Sequence, residues 1–161
     1  MKLVFKNPTI YKKDCLKFLK TLDNNSVKLI ITSPPYNIGK EYEKKQSLDA
    51  YINSQERVLK ECKRVLKKNG SLCWQVGTFI KKNYEIVPLD IPIFNICNKL
   101  GLKLKNRIIW HFEHGLHAQQ KFSGRYETIL WFTKTNEYTF NLDNVRVPQK
   151  FYRIRNNMRG A

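Results

Sequence analysis

One short segment limits what this chain can fold into. Val27–Thr32 (VKLIIT) is a six-residue apolar run, and Ser33-Pro34-Pro35-Tyr36 ends it abruptly. Such a run suits a buried parallel strand. It cannot continue, because each proline fixes φ and removes a backbone donor. The chain must therefore break away at the strand's C-terminal end. In open parallel sheets that end is where ligands bind.

The rest of the chain alternates short apolar strands with amphipathic helices, with no internal repeat and no low-complexity linker. Thr9-Ile10-Tyr11 reads as a short strand. Asp14 is placed to cap a helix carrying Leu16, Leu19 and Leu22, which Asp23-Asn24-Asn25-Ser26 stops. Ser47 reads as the N-cap of the strongest helix, with Asp49 in its first turn. Leu48, Tyr51, Ile52, Leu59, Cys62 and Leu66 form its apolar stripe. Lys63, Arg64, Lys67 and Lys68 crowd its last turns, and Asn69-Gly70 ends it. Ser71–Val76 is the next strand. A second helix is expected over Asp90–Leu100 with Gly101 at C′. Strands follow at Leu102–Phe112 and Tyr126–Lys134, and a last short one at Tyr138–Leu142. This order predicts an α/β fold, its sheet mostly parallel with right-handed crossovers and a C-terminal antiparallel hairpin.

Charge bears on partners. Among 161 residues, 30 Lys and Arg face 13 Asp and Glu, a net +17. That excess favours polyanions, nucleic acid first and anionic membrane second. Abundant Lys and Asn, as in proteins of AT-rich genomes, offer a blander source for part of it. An apolar content of 42% excludes a disordered chain. No apolar run approaches the ~20 residues of a membrane span. The N-terminus MKLVFKNPTIY has no signal-peptide core, so a cytoplasmic protein is expected. Cys15, Cys62, Cys73 and Cys97 form no C-x-x-C pair and read as reduced, mostly buried thiols. His111, His114 and His117 recur every three residues, but no carboxylate or thiol cluster accompanies them. They read as part of a DNA-facing loop with Gln119, Gln120, Lys121 and Arg125, and no metal site is expected. Lys40–Lys45 reads either as a loop closing over DNA, with Lys40, Lys44 and Lys45 on phosphates, or as a solvated loop. Trp74, Trp110 and Trp131 fall in strands and read as core or strand-face packing.

The proline corner has its own chemistry. With two backbone donors removed, its carbonyls can only accept, and the Ser33 hydroxyl oxygen adds another acceptor. Tyr36 supplies a flat face beside them. Such a site suits a planar ring bearing an exocyclic NH₂. That amine is conjugated and a poor nucleophile; two acceptors can draw its hydrogens into a geometry that frees the lone pair for in-line attack on a methyl sulfonium. The base must first leave the duplex, at roughly a few kcal/mol. Stacking on an aromatic ring returns roughly 1–3 kcal/mol.

Ser33-Pro34-Pro35-Tyr36 resembles motif IV of the amino-group DNA methyltransferases, which read Ser, Asp or Asn, then Pro-Pro, then Tyr or Phe. The longer TSPPYNIGKEY is similar to bacterial restriction–modification enzymes of the permuted β group. HGLHAQQKFSGRYETILWFTK (114–134) resembles their motif VII–VIII region. YKKDCLKFLKTL resembles their opening segment, with Lys13 where the family has Gly. The resemblance spans residues 9–150. It implies a partial Rossmann-like methyltransferase sheet, S-adenosylmethionine as methyl donor, and double-stranded DNA with a flipped base as partner. By the same resemblance Ser33 and the Pro34 carbonyl hold the target amine, Pro35 completes the corner and Tyr36 stacks on the base. Asn37, Lys40 and Arg125 would face DNA. Asp14 matches an acidic residue near the cofactor's adenosine; a plain helix cap is its competing role. Ser33 leans toward N4-cytosine, and N6-adenine stays open.

In that family a recognition region, a helix and a Phe-x-Gly-x-Gly cofactor loop follow. The seven glycines here are isolated, and FYRIRNNMRGA (151–161) departs from the family. Residues 1–150 are therefore expected to be the catalytic half, and 151–161 an aberrant or disordered tail. A truncated frame is the further expectation: weak cofactor affinity, no activity alone, an open apolar edge at Val27–Thr32, and need of a partner chain with the cofactor-binding half. Two other functions compete. One is methylation of protein or RNA, against which Ser at 33 argues. The other is a non-catalytic nucleic-acid-binding fragment.

Overall fold

A computed structural model of the chain describes residues 8–113, 118–119 and 121–148. The tail expected at 151–161, and His114, His117 and Gln120, lie outside the described residues. Elements run α1 (Cys15–Leu19), β1 (Val27–Thr32), α2 (Leu48–Val65), β2 (Leu66–Val76), β3 (Thr78–Ile80), β4 (Ile86–Pro88), α3 (Asp90–Lys99), β5 (Lys103–His111), β6 (Tyr126–Thr133) and α4 (Leu142–Val145).

The main sheet has the order β1-β2-β6-β5, and β3 pairs with β4 in a small hairpin. β1 pairs parallel with β2, while β2 and β5 both run antiparallel to β6. Three strands therefore point one way and β6, threaded between two of them, points back. This is the expected α/β architecture, with the C-terminal antiparallel pair inserted into the sheet. Pairing of Thr32 with Trp74, Val76 with Thr128 and His111 with Tyr126 aligns the C-terminal ends of β1, β2 and β5 with the start of β6. The proline corner leaves the sheet at that edge.

The helices form where local chemistry directs. The Asp14 side chain accepts from the Lys17 N–H at 2.9 Å and caps α1. Ser47 caps α2 in the same way through the Ala50 N–H. Gly101 follows α3 at φ +76°, a left-handed position open to glycine. The core lies between α2, α3 and the sheet, where Leu59, Leu72, Trp74, Leu89, Ile93, Leu130 and Phe132 are buried. Arg64 ties α1 to α2: its guanidinium donates to the carbonyls of Leu19 and Leu22 and to Asn24 Oδ1.

Several expectations are corrected. Thr9–Tyr11 forms no strand; Ile10 and Tyr11 are exposed and no ladder reaches them. Tyr138–Leu142 forms none either: Tyr138 and Phe140 pack on the Trp131 ring, with centroids 5.6 Å and 5.3 Å away, and α4 follows. The α2 helix stops at Val65, and Leu66 turns extended at ψ 131°, so Lys67–Gly70 belong to β2. Among the described residues β1 is an edge strand with Leu29 and Ile31 exposed, which corrects the buried-strand expectation and matches the expected open apolar edge at Val27–Thr32. Trp110 is 57% exposed on the other edge strand. Cys15 is exposed, while Cys62 and Cys97 are buried.

Candidate active site

The proline corner starts where β1 ends and places Tyr36 across the end of β2. Ser33 Oγ lies 2.8 Å from Tyr36 Oη, and Tyr36 Oη donates to Glu127 Oε2 at 3.0 Å. Gln75 Nε2, one residue before the end of β2, donates to the same carboxylate oxygen. The ring lies so close to Gly77 that a Cβ there would sit 3.1 Å from Tyr36 Cδ2 and 3.2 Å from Cε2. A side chain at position 77 would therefore need the Tyr36 ring to give by a few tenths of an ångström. The Tyr36 hydroxyl is pushed up to about 12; burial is the main cause, the Ser33 hydrogen bond works against it and Glu127 adds to it. Tyr36 therefore keeps its proton throughout the neutral range.

Two cavities flank the corner. The larger, about 420 Å³, lies beneath α1 and α2; it is mostly apolar and includes Cys15, Phe18, Val58, Ser33 and Pro34. Trp74 and Gln55 also line it, and Trp74 Nε1 and Gln55 Oε1 are buried without a hydrogen-bond partner. The smaller, about 310 Å³, lies beneath the loop after Tyr36, against Tyr51 and Gln46. Pro35 lines both.

That loop is closed at its base. Asn37 sits at φ +61° and is 2% exposed. Its Nδ2 donates to the Gln46 carbonyl at 2.8 Å, and its Oδ1 accepts from the Gln46 N–H at 2.8 Å. Inside the loop, the Glu43 carboxylate accepts from the backbone N–H groups of Asn37, Ile38, Gly39 and Lys40. Desolvation works to raise the Glu43 carboxyl, but these four donors outweigh it and hold it below the usual carboxylate range.

Ser33, Pro34, Pro35 and Tyr36 leave the C-terminal end of β1 in succession, with Ser33 Oγ against Tyr36 Oη. Asn37, expected to face DNA, is buried instead, and its amide is spent on Gln46. Lys40 is exposed on the loop. Arg125 lies at the same sheet edge, one residue before β6; its Nη1 donates to the Glu113 carbonyl at 2.9 Å, and its own carbonyl accepts from Phe112. Asp14 stands beside the larger cavity through its neighbour Cys15, and one of its oxygens caps α1. Among the described residues no three His, Cys, Asp or Glu side chains cluster as metal ligands. None of the described helices is long and apolar enough to cross a membrane. Sequence reading missed Glu127, Gln75, Gly77 and Glu43. A lone carboxylate inside the apolar strand YETILWFT was the available signal for Glu127.

An α/β sheet with a Ser-Pro-Pro-Tyr corner at its strand ends defines a class, and comparison with known proteins specifies it. The family model for N6/N4 methyltransferases, described as DNA methylase, matches residues 27–159. The chain belongs to that family. It is 50% identical over 142 residues to the type II methyltransferase M.BglII of Bacillus subtilis, covering 88% of this chain and 39% of that protein. It is 40% identical to the type II methyltransferase M.HpaI of Haemophilus parainfluenzae, covering 92% and 46%. Among solved structures, the DNA modification methylase TTHA0409 of Thermus thermophilus, complexed with S-adenosyl-L-methionine and assigned putatively, is 27% identical with a TM-score of 0.64, covering 84% of this chain and 60% of that one. The cytosine-N4-specific PvuII DNA methyltransferase shares the fold, with a TM-score of 0.68 at 21% identity, covering 80% and 49%. The chain spans less than half the length of the two curated relatives.

Proposed function

We propose that this chain carries the catalytic corner of a DNA methyltransferase that moves a methyl group from S-adenosylmethionine to the exocyclic amine of adenine (N6) or cytosine (N4). One observation carries the reading: Ser33, Pro34 and Pro35 line a cavity at the end of a parallel strand, with the Ser33 hydroxyl hydrogen-bonded to Tyr36. The names of the relatives agree with it.

The target amine donates to Ser33 Oγ and to the Pro34 carbonyl. Holding both hydrogens turns the nitrogen lone pair toward the incoming methyl and supplies the orientation on which such a transfer depends. Pro35 keeps the corner stiff. Tyr36 offers a ring face to the everted base. The 420 Å³ cavity suits the adenosyl part of the cofactor: its wall is mostly apolar, and Trp74 Nε1 and Gln55 Oε1 supply an unpaired donor and acceptor among its lining residues. Asp14 and Cys15 would stand at its rim. When bound, the cofactor supplies an electrophilic methyl on a sulfonium. Lys40 and Arg125 lie on the side from which DNA would approach, and Asn37 shapes the loop rather than touching DNA.

A second reading has its own support. The exposed Leu29 and Ile31 on the β1 edge favour a chain that works only when another chain pairs there. One experiment addresses both. The chain is incubated with DNA and S-adenosylmethionine labelled in the methyl group, and the digested nucleosides are analysed by mass spectrometry. Labelled N6-methyladenine or N4-methylcytosine supports the first reading and names the target base. Salt-dependent DNA binding without methyl transfer supports the second. A result with neither labelled base nor salt-dependent DNA binding overturns both.

A further inference from the structure

The hydrogen-bond chain behind Ser33 carries an inference that rests on the proposed amine site and deepens it. A serine hydroxyl both donates and accepts, so by itself it does not distinguish an amine from a carbonyl. Here its proton has a fixed destination. Glu127 Oε2 accepts from Gln75 Nε2 and from Tyr36 Oη. The one hydroxyl proton of Tyr36 is therefore committed to Glu127. The 2.8 Å contact between Ser33 Oγ and Tyr36 Oη must then use the Ser33 proton. What Ser33 has left to offer a ligand is lone pairs.

We infer that Glu127 is a positioning residue: acting through Tyr36, it turns the Ser33 proton away from the ligand, so that the corner presents acceptors alone and selects bases carrying an amino group over bases carrying an oxo group. Three features place the device. The Tyr36 ring lies where a Cβ on Gly77 would come within 3.1 Å of it, and its hydroxyl is held between Ser33 Oγ and Glu127 Oε2. Glu127 stands on β6, paired with Trp110 of β5 and one residue before Thr128, which pairs with Val76 at the end of β2, so the carboxylate and Gln75 both stand on strands. Gln75 braces the carboxylate from the neighbouring strand. An aspartate at position 33 would need none of this, because a carboxylate has no proton to turn away.

The test is a binding ratio and needs no turnover. Two duplexes are used, identical except for one mismatched base that is adenine in the first and hypoxanthine, which carries an oxo group at the same carbon, in the second. Phosphate contacts are the same in both and cancel in the ratio. The wild-type chain is expected to prefer adenine by about tenfold, the size of one hydrogen bond exchanged for an acceptor–acceptor clash. Tyr36→Phe keeps the ring and removes one oxygen. Both it and Glu127→Ala are expected to bring the ratio within about twofold. Ser33→Asp in the Tyr36→Phe background is expected to restore the preference, a rescue that a merely structural role for Tyr36 or Glu127 would not give. Circular dichroism confirms that each variant is folded. Loss of preference in both variants with rescue by aspartate supports the inference. A wild-type preference that survives Tyr36→Phe and Glu127→Ala, or a failed rescue, overturns it and leaves the amine site standing. A wild-type chain that binds both duplexes equally overturns the amine site and the inference together.

Discussion

Replacing Asn37 with alanine should unlatch the loop that follows the corner. Asn37 is 2% exposed and makes two 2.8 Å hydrogen bonds to the Gln46 backbone. Each is worth about 1 kcal/mol net, and both are lost. Asn37 also sits at φ +61°, where a Cβ residue without a short polar side chain costs about a further 1 kcal/mol. The sum is about 3 kcal/mol, or roughly 150-fold in the equilibrium between closed and open loop. Lys40, Lys44 and Lys45 lie inside the loop, so trypsin reads this equilibrium directly when reclosing is fast. Asn37→Ala should be cut there roughly 150-fold faster than wild type. Asn37→Gly loses the hydrogen bonds but not the backbone ease, and should be cut about 30-fold faster. Asn37→Ala cleavage within about threefold of wild type would refute the latch, and equal rates for the two variants would refute the backbone part of the reasoning.

Other outcomes follow from close packing and burial. Gly70→Ala would put a Cβ 2.9 Å from the Lys28 carbonyl and from Leu66 Cδ1, forcing β1 away from β2; urea denaturation should report a loss of about 2 kcal/mol. Gly77→Ala needs the Tyr36 ring to shift by a few tenths of an ångström, and should weaken the adenine-over-hypoxanthine preference while leaving the urea midpoint nearly unchanged. A thiol reagent at about pH 8 should label Cys15 in the folded chain and reach Cys62 and Cys97 only after unfolding. Burial pushes both of these thiols from the ordinary 9.0 to about 12, so their contribution to stability is complete below pH 9.0 and is lost as pH rises toward about 12; a urea midpoint that does not fall over that range would contradict it.

Features decided within a few residues were legible in the sequence. Asp14 and Ser47 cap their helices, Gly101 takes the left-handed position, and Val27–Thr32 ends where the prolines begin. Features that need a distant partner were not. Thr9–Tyr11 and Tyr138–Leu142 have strand-like composition, but a strand exists only where another strand's edge is free to pair. Leu66 fits the apolar stripe of α2 and is equally buried as the first residue of β2, so periodicity could not place the boundary. The three-residue strands β3 and β4 are too short to carry a period. Asn37, polar and beside the motif, reads as a surface residue until its backbone angle and its Gln46 partner are seen. Glu127 stands 91 residues from Tyr36 in the chain, and only the sheet register brings them together.

A base lying against Tyr36, with its amine on Ser33 and Pro34, is the central claim. Photocrosslinking with an oligonucleotide carrying 5-iodocytosine, which keeps the exocyclic amine, tests this most directly. Irradiation followed by peptide sequencing should place the crosslink on Tyr36, and unlabelled cytosine should compete it away. A crosslink confined to Trp110, Tyr84 or another exposed aromatic residue, with Tyr36 untouched, would contradict it.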